Sequence, residues 1–501
     1  MNPLTQSAPI NTTALAIFIA FFALITVLGF VAARWKRGDL TQLHEWGLGG
    51  RQFGTVISWF LVGGDFYTAY TVIAVPALVY SVGAYGFFAL PYTIIVYPFV
   101  FAVMPKLWQA CHRGNHITAA DYVQGVFGGK WFPAAIALTG IVATMPYIAL
   151  QLVGMQVVIK SLGITGELPL IIAFVILALY TYASGLRAPA MIAFVKDIMI
   201  YIVVIVAVCW IPTKLGGYGA LFDIADKHFA AKGGATGILL KPSQFTAYAT
   251  LALGSALAAF MYPHTMTGVL SSRSAATVKK NAIFLPAYTI LLGLIALLGY
   301  MAIAAGVHVK SPSDVVPALF LTLFPSWFVG FAAAAIAISA LVPAAIMSIG
   351  AANLFTRNLY KPLIAPNATP EKEASNAKLV SLVVKFGALV FIIALPTQYA
   401  IDMQLLGGVW ILQIFPAVVF SLYTRRLSTP GLFLGWFAGI SLGTVLAAMQ
   451  GLKPVYALHF AGATYPTYIG LIALVVNVVV TVVVSAVTVK NQAANVKVAA
   501  Q

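Results

Sequence analysis

The sequence predicts an all-α integral membrane protein of about thirteen spanning helices, and three observations carry that prediction. Of the 501 residues, 61% are hydrophobic and only 8% charged, where a soluble chain has roughly 45–50% and 25%. Apolar runs close to the ~20 residues that cross a bilayer recur along the whole length, Leu471–Val487 among them. The basic residues cluster in short segments on one side of those runs. A soluble enzyme, a disordered scaffold and a β-barrel, whose strands would alternate apolar and polar, are excluded. The net charge of +16 belongs to the short loops, so it follows the positive-inside rule and does not mark a nucleic-acid surface.

Taken in order, the first run, 13–34, is followed by Arg34, Lys36 and Arg37 and has no small-residue cleavage pattern, so it is expected to persist as an extra N-terminal helix. Runs 55–83, 85–108, 131–160, 168–185 and 189–212 make one set of five; 244–268, 282–306, 327–351, 378–397 and 403–423 make a second. Five is odd, so the second set enters the membrane from the opposite side, the topology of an inverted repeat over 55–212 and 244–423. Two additional C-terminal helices lie within 429–489, at 429–449 and 467–489. With the N-terminus outside, nineteen of the twenty-eight basic residues and all nine arginines fall inside, and the C-terminus is cytoplasmic. The outer connection 213–243 and the polar segment Pro362–Lys378 are too short for separate domains, so 1–501 is expected to be one transmembrane unit. Cys111 and Cys209 lie at different predicted depths, and no disulfide is expected.

An ionisable group in hydrocarbon costs at least ~2.5 kcal/mol, so each one asks for a partner, a wet cavity or a task. Five qualify: Asp65, Lys196, Asp197, Lys385 and His264. Asp65 follows two glycines in Leu61-Val-Gly-Gly-Asp-Phe-Tyr-Thr-Ala-Tyr70, a pattern that suits an unwound helix midpoint with free carbonyls for a cation and a half-helix N-terminus for an anion. The alternative is close packing through Gly63 and Gly64, with Asp65 bonded to a neighbouring helix. In the first helix of the second five, Met261-Tyr-Pro-His-Thr-Met-Thr267 puts Pro263 where it removes a backbone hydrogen bond, beside Tyr262 and His264. His264 reads either as a site residue or as a structural group at the inner interface. It has no second ligand at metal spacing.

Lys196 and Asp197 are adjacent, so on a helix they point about 100° apart and are not expected to face each other. They read either as an ion or proton gate or as interfacial residues with Lys196 snorkelling; Lys385 is expected to snorkel. Tyr147 and Gln151, at i and i+4 after Pro146, and Gln404, Trp410 and Gln413 in the eleventh run are candidates to line a small polar cavity, or to bond helix to helix. Enzyme signals are absent: His44-Glu-Trp-Gly-Leu48 lacks a second histidine, Gln124–Lys130 lacks the first glycine of a phosphate loop, and no Gly-x-Ser-x-Gly occurs. A passive or ion-coupled carrier remains, and no enzyme.

Asp65 in its glycine-flanked helix, Ile117-Thr-Ala-Ala-Asp-Tyr122, Ser184-Gly-Leu-Arg-Ala188 leading to Val195-Lys-Asp197, Tyr262-Pro-His264 and Phe355-Thr-Arg-Asn-Leu-Tyr360 together resemble the sodium:solute symporter family. Glu45-Trp-Gly-Leu-Gly-Gly-Arg51, Asp65–Pro76 and Gly185-Leu-Arg-Ala-Pro189 are most similar to its bacterial monocarboxylate permeases. The resemblance implies a leucine-transporter-like five-plus-five inverted repeat in the bacterial inner membrane. It implies import of lactate, pyruvate, acetate- or propionate-like acids, or alanine, by alternating access. It also implies cation-region roles for Val62, Gly63, Asp65 and Asp197, with Na+ or H+ as the coupling ion and no other cofactor. One departure matters: Val342 and Pro343 stand where the family has paired hydroxyls, with Ser339 one turn earlier. Neither offers a side-chain oxygen to a hard cation, and Lys196 offers a positive charge instead, so proton coupling is favoured over sodium. Thr68, Tyr147, Gln151, Tyr262, His264 and Gln413 are the expected substrate donors. The expected partners are the lipid bilayer and the small acid, a monomer sufficing, with an oligomer left open. A transporter-like metabolite sensor and a symporter for another small solute, such as an amino acid, are the alternatives.

Overall fold

The computed structural model describes residues 10–35, 38–394 and 400–499. Lys36, Arg37 and the 395–397 end of the tenth predicted span lie outside them. In order, the helices are α1 (Thr12–Val31), α2 (Leu43–Leu48), α3 (Thr55–Phe66), α4 (Val75–Val82), α5 (Ala89–Arg113), α6 (Ala119–Phe127), α7 (Trp131–Ser161), α8 (Leu168–Ser184), α9 (Arg187–Lys214) and α10 (Gly217–Lys232). Then come α11 (Phe245–Ala259), α12 (Pro263–Leu270), α13 (Ala275–Phe284), α14 (Pro286–Ala304), α15 (Val315–Leu323), α16 (Ser326–Phe355), α17 (Pro370–Ala394), α18 (Ala400–Ile411) and α19 (Phe415–Val418). α20 (Thr429–Met449), a hairpin of β1 (Val455–Phe460) and β2 (Ala463–Tyr468), and α21 (Ile469–Ala499) close the chain. Among the described residues nine helices are long and apolar enough to cross a membrane, or eleven when the bent pairs α3/α4 and α11/α12 each count as one span. Of the other two predicted spans, α8 is shorter, at 17 residues, and α17 fills most of 378–397.

The core is the small-residue helix α16, buried without interruption from Ala332 to Leu354. It packs against α7, α1, α9, α17 and α12. In lipid, helix association comes from close packing and polar contacts, so small residues gather at interfaces. A Cβ on Gly330 would lie 2.3 Å from the Ala14 carbonyl oxygen, which is how closely α1 lies on α16. The start of α1 is fixed there too, since Asn11 caps Ala14 N and donates to Ser326 Oγ at 2.9 Å. α20 and α21 use a four-residue glycine period, Gly431, Gly435, Gly439 and Gly443, against Ser485, Thr481, Asn477 and Ala473.

One end of the bundle carries the arginine-bearing segments, where the loop before α3 pairs with the end of α12 through Phe53 and Ser272. At that end Arg187 pairs with Glu45, and Arg357 bonds Asp121 and Glu373 at 3.1 Å each. The opposite end carries α10, α15, the hairpin and a Gly83–Gly237 bridge. The hairpin, α10 and α15 are elements that hydropathy alone does not reveal. Cys111 and Cys209 are both free thiols. Lys385 departs from its expected snorkelling: it is fully buried, and its ammonium has no hydrogen-bond partner among the described residues. It shares the inward face of α17 with Ser381, Val384, Ala388 and Leu389, which aims its stem into the bundle.

Candidate functional site: two helix breaks around a small cavity

Both expected breaks form. α3 ends at Tyr67, whose φ of −97° and ψ of 82° leave the helical region. The chain resumes through a π-helical turn, Tyr70–Ala74, and α4 runs at 49° to α3. The break therefore falls just after Asp65, and the glycine pair stays helical. The glycines serve close approach instead: a Cβ on Gly63 would sit 2.1 Å from the Tyr288 ring, and one on Gly64 would meet Asp197 and Lys196 at 3.0 and 3.1 Å. Opposite, α11 stops at Ala259, Tyr262 is extended, and α12 begins on Pro263 at 50° to α11. Thr265 Oγ1 donates to Ala259 O at 2.8 Å and Tyr262 O at 2.9 Å, engaging two carbonyls at that break.

At the first break Thr68 N turns to Thr71 Oγ1 at 3.4 Å, so Gly64 O has lost its helical donor. Lys196 takes its place, donating to Gly64 O at 2.6 Å and Tyr67 O at 2.9 Å. Its ammonium also lies 2.8 Å from Asp197 Oδ1, while Asp197 Oδ2 accepts from the Tyr288 hydroxyl at 2.7 Å. The two neighbours do face each other, contrary to the helical-wheel expectation, because the long lysine stem folds back beneath Gly64. Lys196 and Asp197 are 0% and 1% exposed, so Lys196 points into the bundle and does not snorkel.

A sodium ion in this region needs several free oxygens, and several of the carbonyls and hydroxyls at the break are already engaged, although among the described residues both Asp65 oxygens are not. Gly64 O and Tyr67 O are held by an ammonium, and Gly63 O accepts from Tyr67 N. Val342 and Pro343 carry no side-chain oxygen, and Ser339 Oγ donates to Ala335 O within its own helix. Val62 is buried on α3 beside Gly63.

Between the breaks lies a cavity of about 50 Å³, room for about four water molecules. Asp65, Tyr147, Tyr262 and His264 line it, with Phe66, Phe88, Tyr92, Ser255, Thr265, Gln404 and Tyr468. Asp65 and His264 face each other, Oδ2 to Nε2, at 3.8 Å. Among the described residues neither Asp65 oxygen has a hydrogen-bond partner, nor does His264 Nδ1. Tyr147 and Tyr262 pack on the imidazole with ring centroids 5.3 Å away.

Three expected donors lie elsewhere. Gln151 accepts from Ala69 N at 3.1 Å and donates to Tyr147 O, bracing the first break from behind. Gln413 is bound to Val409, Gly470 and Asn477, at the α21 interface. Thr68 is fully buried at the break, off the cavity wall. Trp410 bonds Thr444 of α20. Gln404, near the start of the eleventh run, is the glutamine that reaches the cavity, and its Oε1 has no partner among the described residues. Tyr468 enters from the unforeseen hairpin and donates to Leu405 O at 3.0 Å.

The chain is similar to known transporters. Residues 46–439 match the sodium:solute symporter family. A protein of Rhizobium johnstonii (strain DSM 114642 / LMG 32736 / 3841) named monocarboxylate transport permease protein is 63% identical over 96% of this chain and 98% of its own. Uncharacterized symporter YodF of Bacillus subtilis (strain 168) is 34% identical over 97% and 95%. Among solved structures, one described as the substrate-bound outward-open state of a Na+-coupled sialic acid symporter aligns over 95% of this chain and 97% of that one, with a TM-score of 0.77 and 16% identity. That likeness shows the leucine-transporter-like inverted-repeat fold. Matched over most of its length by the family and nearly end to end by such relatives, the chain belongs to the sodium:solute symporter family.

Proposed function

We propose that the protein imports small monocarboxylates across the bacterial inner membrane by alternating access, driven by protons rather than sodium. The observation that carries the coupling ion is Lys196: its ammonium holds the carbonyls freed at the first break, so the positive charge a bound cation would bring is already part of the chain. The cavity volume favours a solute of a few carbon atoms, and the Rhizobium relative's name supports the acid class. Tyr147, Tyr262 and His264 are the substrate donors on this reading, with Asp65, Lys196 and Asp197 as the coupling group. The repeats divide at 55–212 and 244–423, and the arginine-rich end faces the cytoplasm with the N-terminus outside.

The test is uptake of labelled pyruvate or lactate into proteoliposomes under a proton gradient or a sodium gradient, with competition by unlabelled acetate and alanine. Accumulation is expected with the proton gradient alone, and Lys196→Met is expected to lower it at least tenfold. Sodium-driven accumulation without proton movement would sink the coupling assignment; the absence of any uptake would favour a sensor.

A further inference from the structure

Lys196 is fully committed, with Gly64 O, Tyr67 O and Asp197 Oδ1 all within 2.9 Å. Its ammonium is taken up by two carbonyl hydrogen bonds and one ion pair, and removing it would leave two buried carbonyls without a donor and Asp197 without its counter-charge. The proton that moves must bind elsewhere. Among the titratable groups described at the cavity, Asp65 and His264 are the ones with unpaired atoms: both carboxylate oxygens and Nδ1 lack partners, although the residues are only 3% and 2% exposed.

The cargo sharpens the point. An anionic acid entering a cavity of about 50 Å³ beside an ionised Asp65 would set two like charges a few ångströms apart with little water between them. Resting on the proposed monocarboxylate reading, we infer that Asp65 and His264 form the site of the transported proton. The cycle starts from the pair without its proton, Asp65 ionised and His264 neutral. One proton from outside binds between Asp65 Oδ2 and His264 Nε2, which are already 3.8 Å apart, leaving the pair neutral in sum. The substrate carboxylate then brings the single negative charge back, accepting a hydrogen bond from the protonated pair. On the inner side the anion leaves and the proton follows, so each cycle moves one proton with one anion and restores the ionised carboxylate. The site's charge is the same empty and loaded.

No other described group on the cavity wall carries a charge that would cancel this exchange. From α9 the facing charges are Lys196 and Asp197, paired with each other; Tyr288 of α14 donates to Asp197. α5, α7 and β2 contribute Tyr92, Tyr147 and Tyr468, while α16 has no titratable side chain. Lys279 and Lys280 of α13 are exposed, and Glu45 of α2 is held by Arg187.

The test uses the full-length protein in proteoliposomes carrying an internal pH dye. Wild type is expected to take up one proton per pyruvate and to ignore an imposed membrane potential. Asp65→Asn, which mimics the protonated acid, is expected to lose proton-driven accumulation and its pH dependence, with exchange of labelled for unlabelled pyruvate falling less than accumulation does; His264→Gln should shift the pH profile in the same direction. A well-folded Asp65→Asn that still accumulates pyruvate on a proton gradient would overturn the inference. Should the variant be inactive in both assays, infrared difference spectra of wild type decide: a protonated-carboxyl band appearing on pyruvate addition and missing in Asp65→Asn supports the pair, and no such band overturns it. Failure of wild type to carry any monocarboxylate would remove the functional reading itself, an outcome distinct from either.

Discussion

At the residue scale, two consecutive glycines serve two different neighbours, and that difference is measurable. Gly63 meets the ring of Tyr288, whose hydroxyl holds Asp197, and a methyl added there would lie 2.1 Å from a ring carbon. Gly64 meets the ends of Lys196 and Asp197 at 3.0–3.1 Å, groups on flexible stems that can yield by a few tenths of an ångström. Gly63→Ala is therefore expected to be the more damaging, displacing a buried ring at an overpacking cost of about 1–3 kcal/mol and abolishing uptake. Gly64→Ala should keep more than a tenth of it; initial uptake rates at matched protein levels in the membrane make the comparison. The sequence pattern Gly-Gly-Asp points to a helix break, and the break itself comes two residues after the acid. What sequence lacks is the partner: nothing local to residues 63–65 announces Tyr288 or Lys196.

At the scale of elements, the motifs that mark the family prove to be pairs that touch. Glu45-Trp46 meets Gly185-Leu-Arg187: Leu186 N donates to Trp46 O at 2.9 Å, Trp46 Nε1 donates to Tyr182 O, and Arg187 pairs with Glu45. Ile117–Tyr122 meets Thr356–Tyr360: Asp121 accepts from Ile117 N, from Arg357 and from Asn358, and Arg357 continues to Glu373 at the head of α17. Each pair ties a connecting segment to the end of a different helix at the arginine-rich face. Asp121 and Glu373 side chains are 4% and 5% exposed and Arg357 25%. Arg357→Ala is thus expected to cost about 2–3 kcal/mol, below the 3–5 of a fully buried pair. A lowered unfolding temperature of the purified protein would register it, and Arg357→Lys, which cannot fork to two carboxylates, should recover only part. The helices themselves were legible because a twenty-residue apolar run has few other fates. The hairpin at 455–468 and the helices α10 and α15 were not, since they carry no such length signal, and so Tyr468 was missing from the expected cavity. Gln151 and Gln413 follow the second of the two readings open to them, since in a span a glutamine bonds a backbone or a neighbouring helix as readily as it faces a ligand.

At the scale of the whole molecule, two cavities lie on either side of the second break. The larger, with Asp65, Ser255 and Tyr468, lies along α11 toward the end that carries the hairpin; the smaller, lined by Ile117, Thr118, Pro263, Thr267, Gly350 and Leu354, lies along α12 toward the arginine-rich end. Pro263 and His264 stand between them, on a chain bent by 50°. Rocking of the bent helices against α7 and α16 would widen one cavity as it closes the other, which is alternating access in its simplest geometric form. Single cysteines at the two depths separate this from a static channel. With Cys111 and Cys209 replaced by serine, Ser255→Cys is expected to react with a membrane-impermeant maleimide applied outside intact cells, and Thr267→Cys only in inside-out vesicles. Pyruvate with a proton gradient should change the two rates in opposite directions, because one population of conformers grows at the expense of the other. Equal labelling of both positions from one side would argue for a continuous pore, and reversed sidedness would place the arginine-rich end outside and invert the orientation drawn from the positive-inside rule.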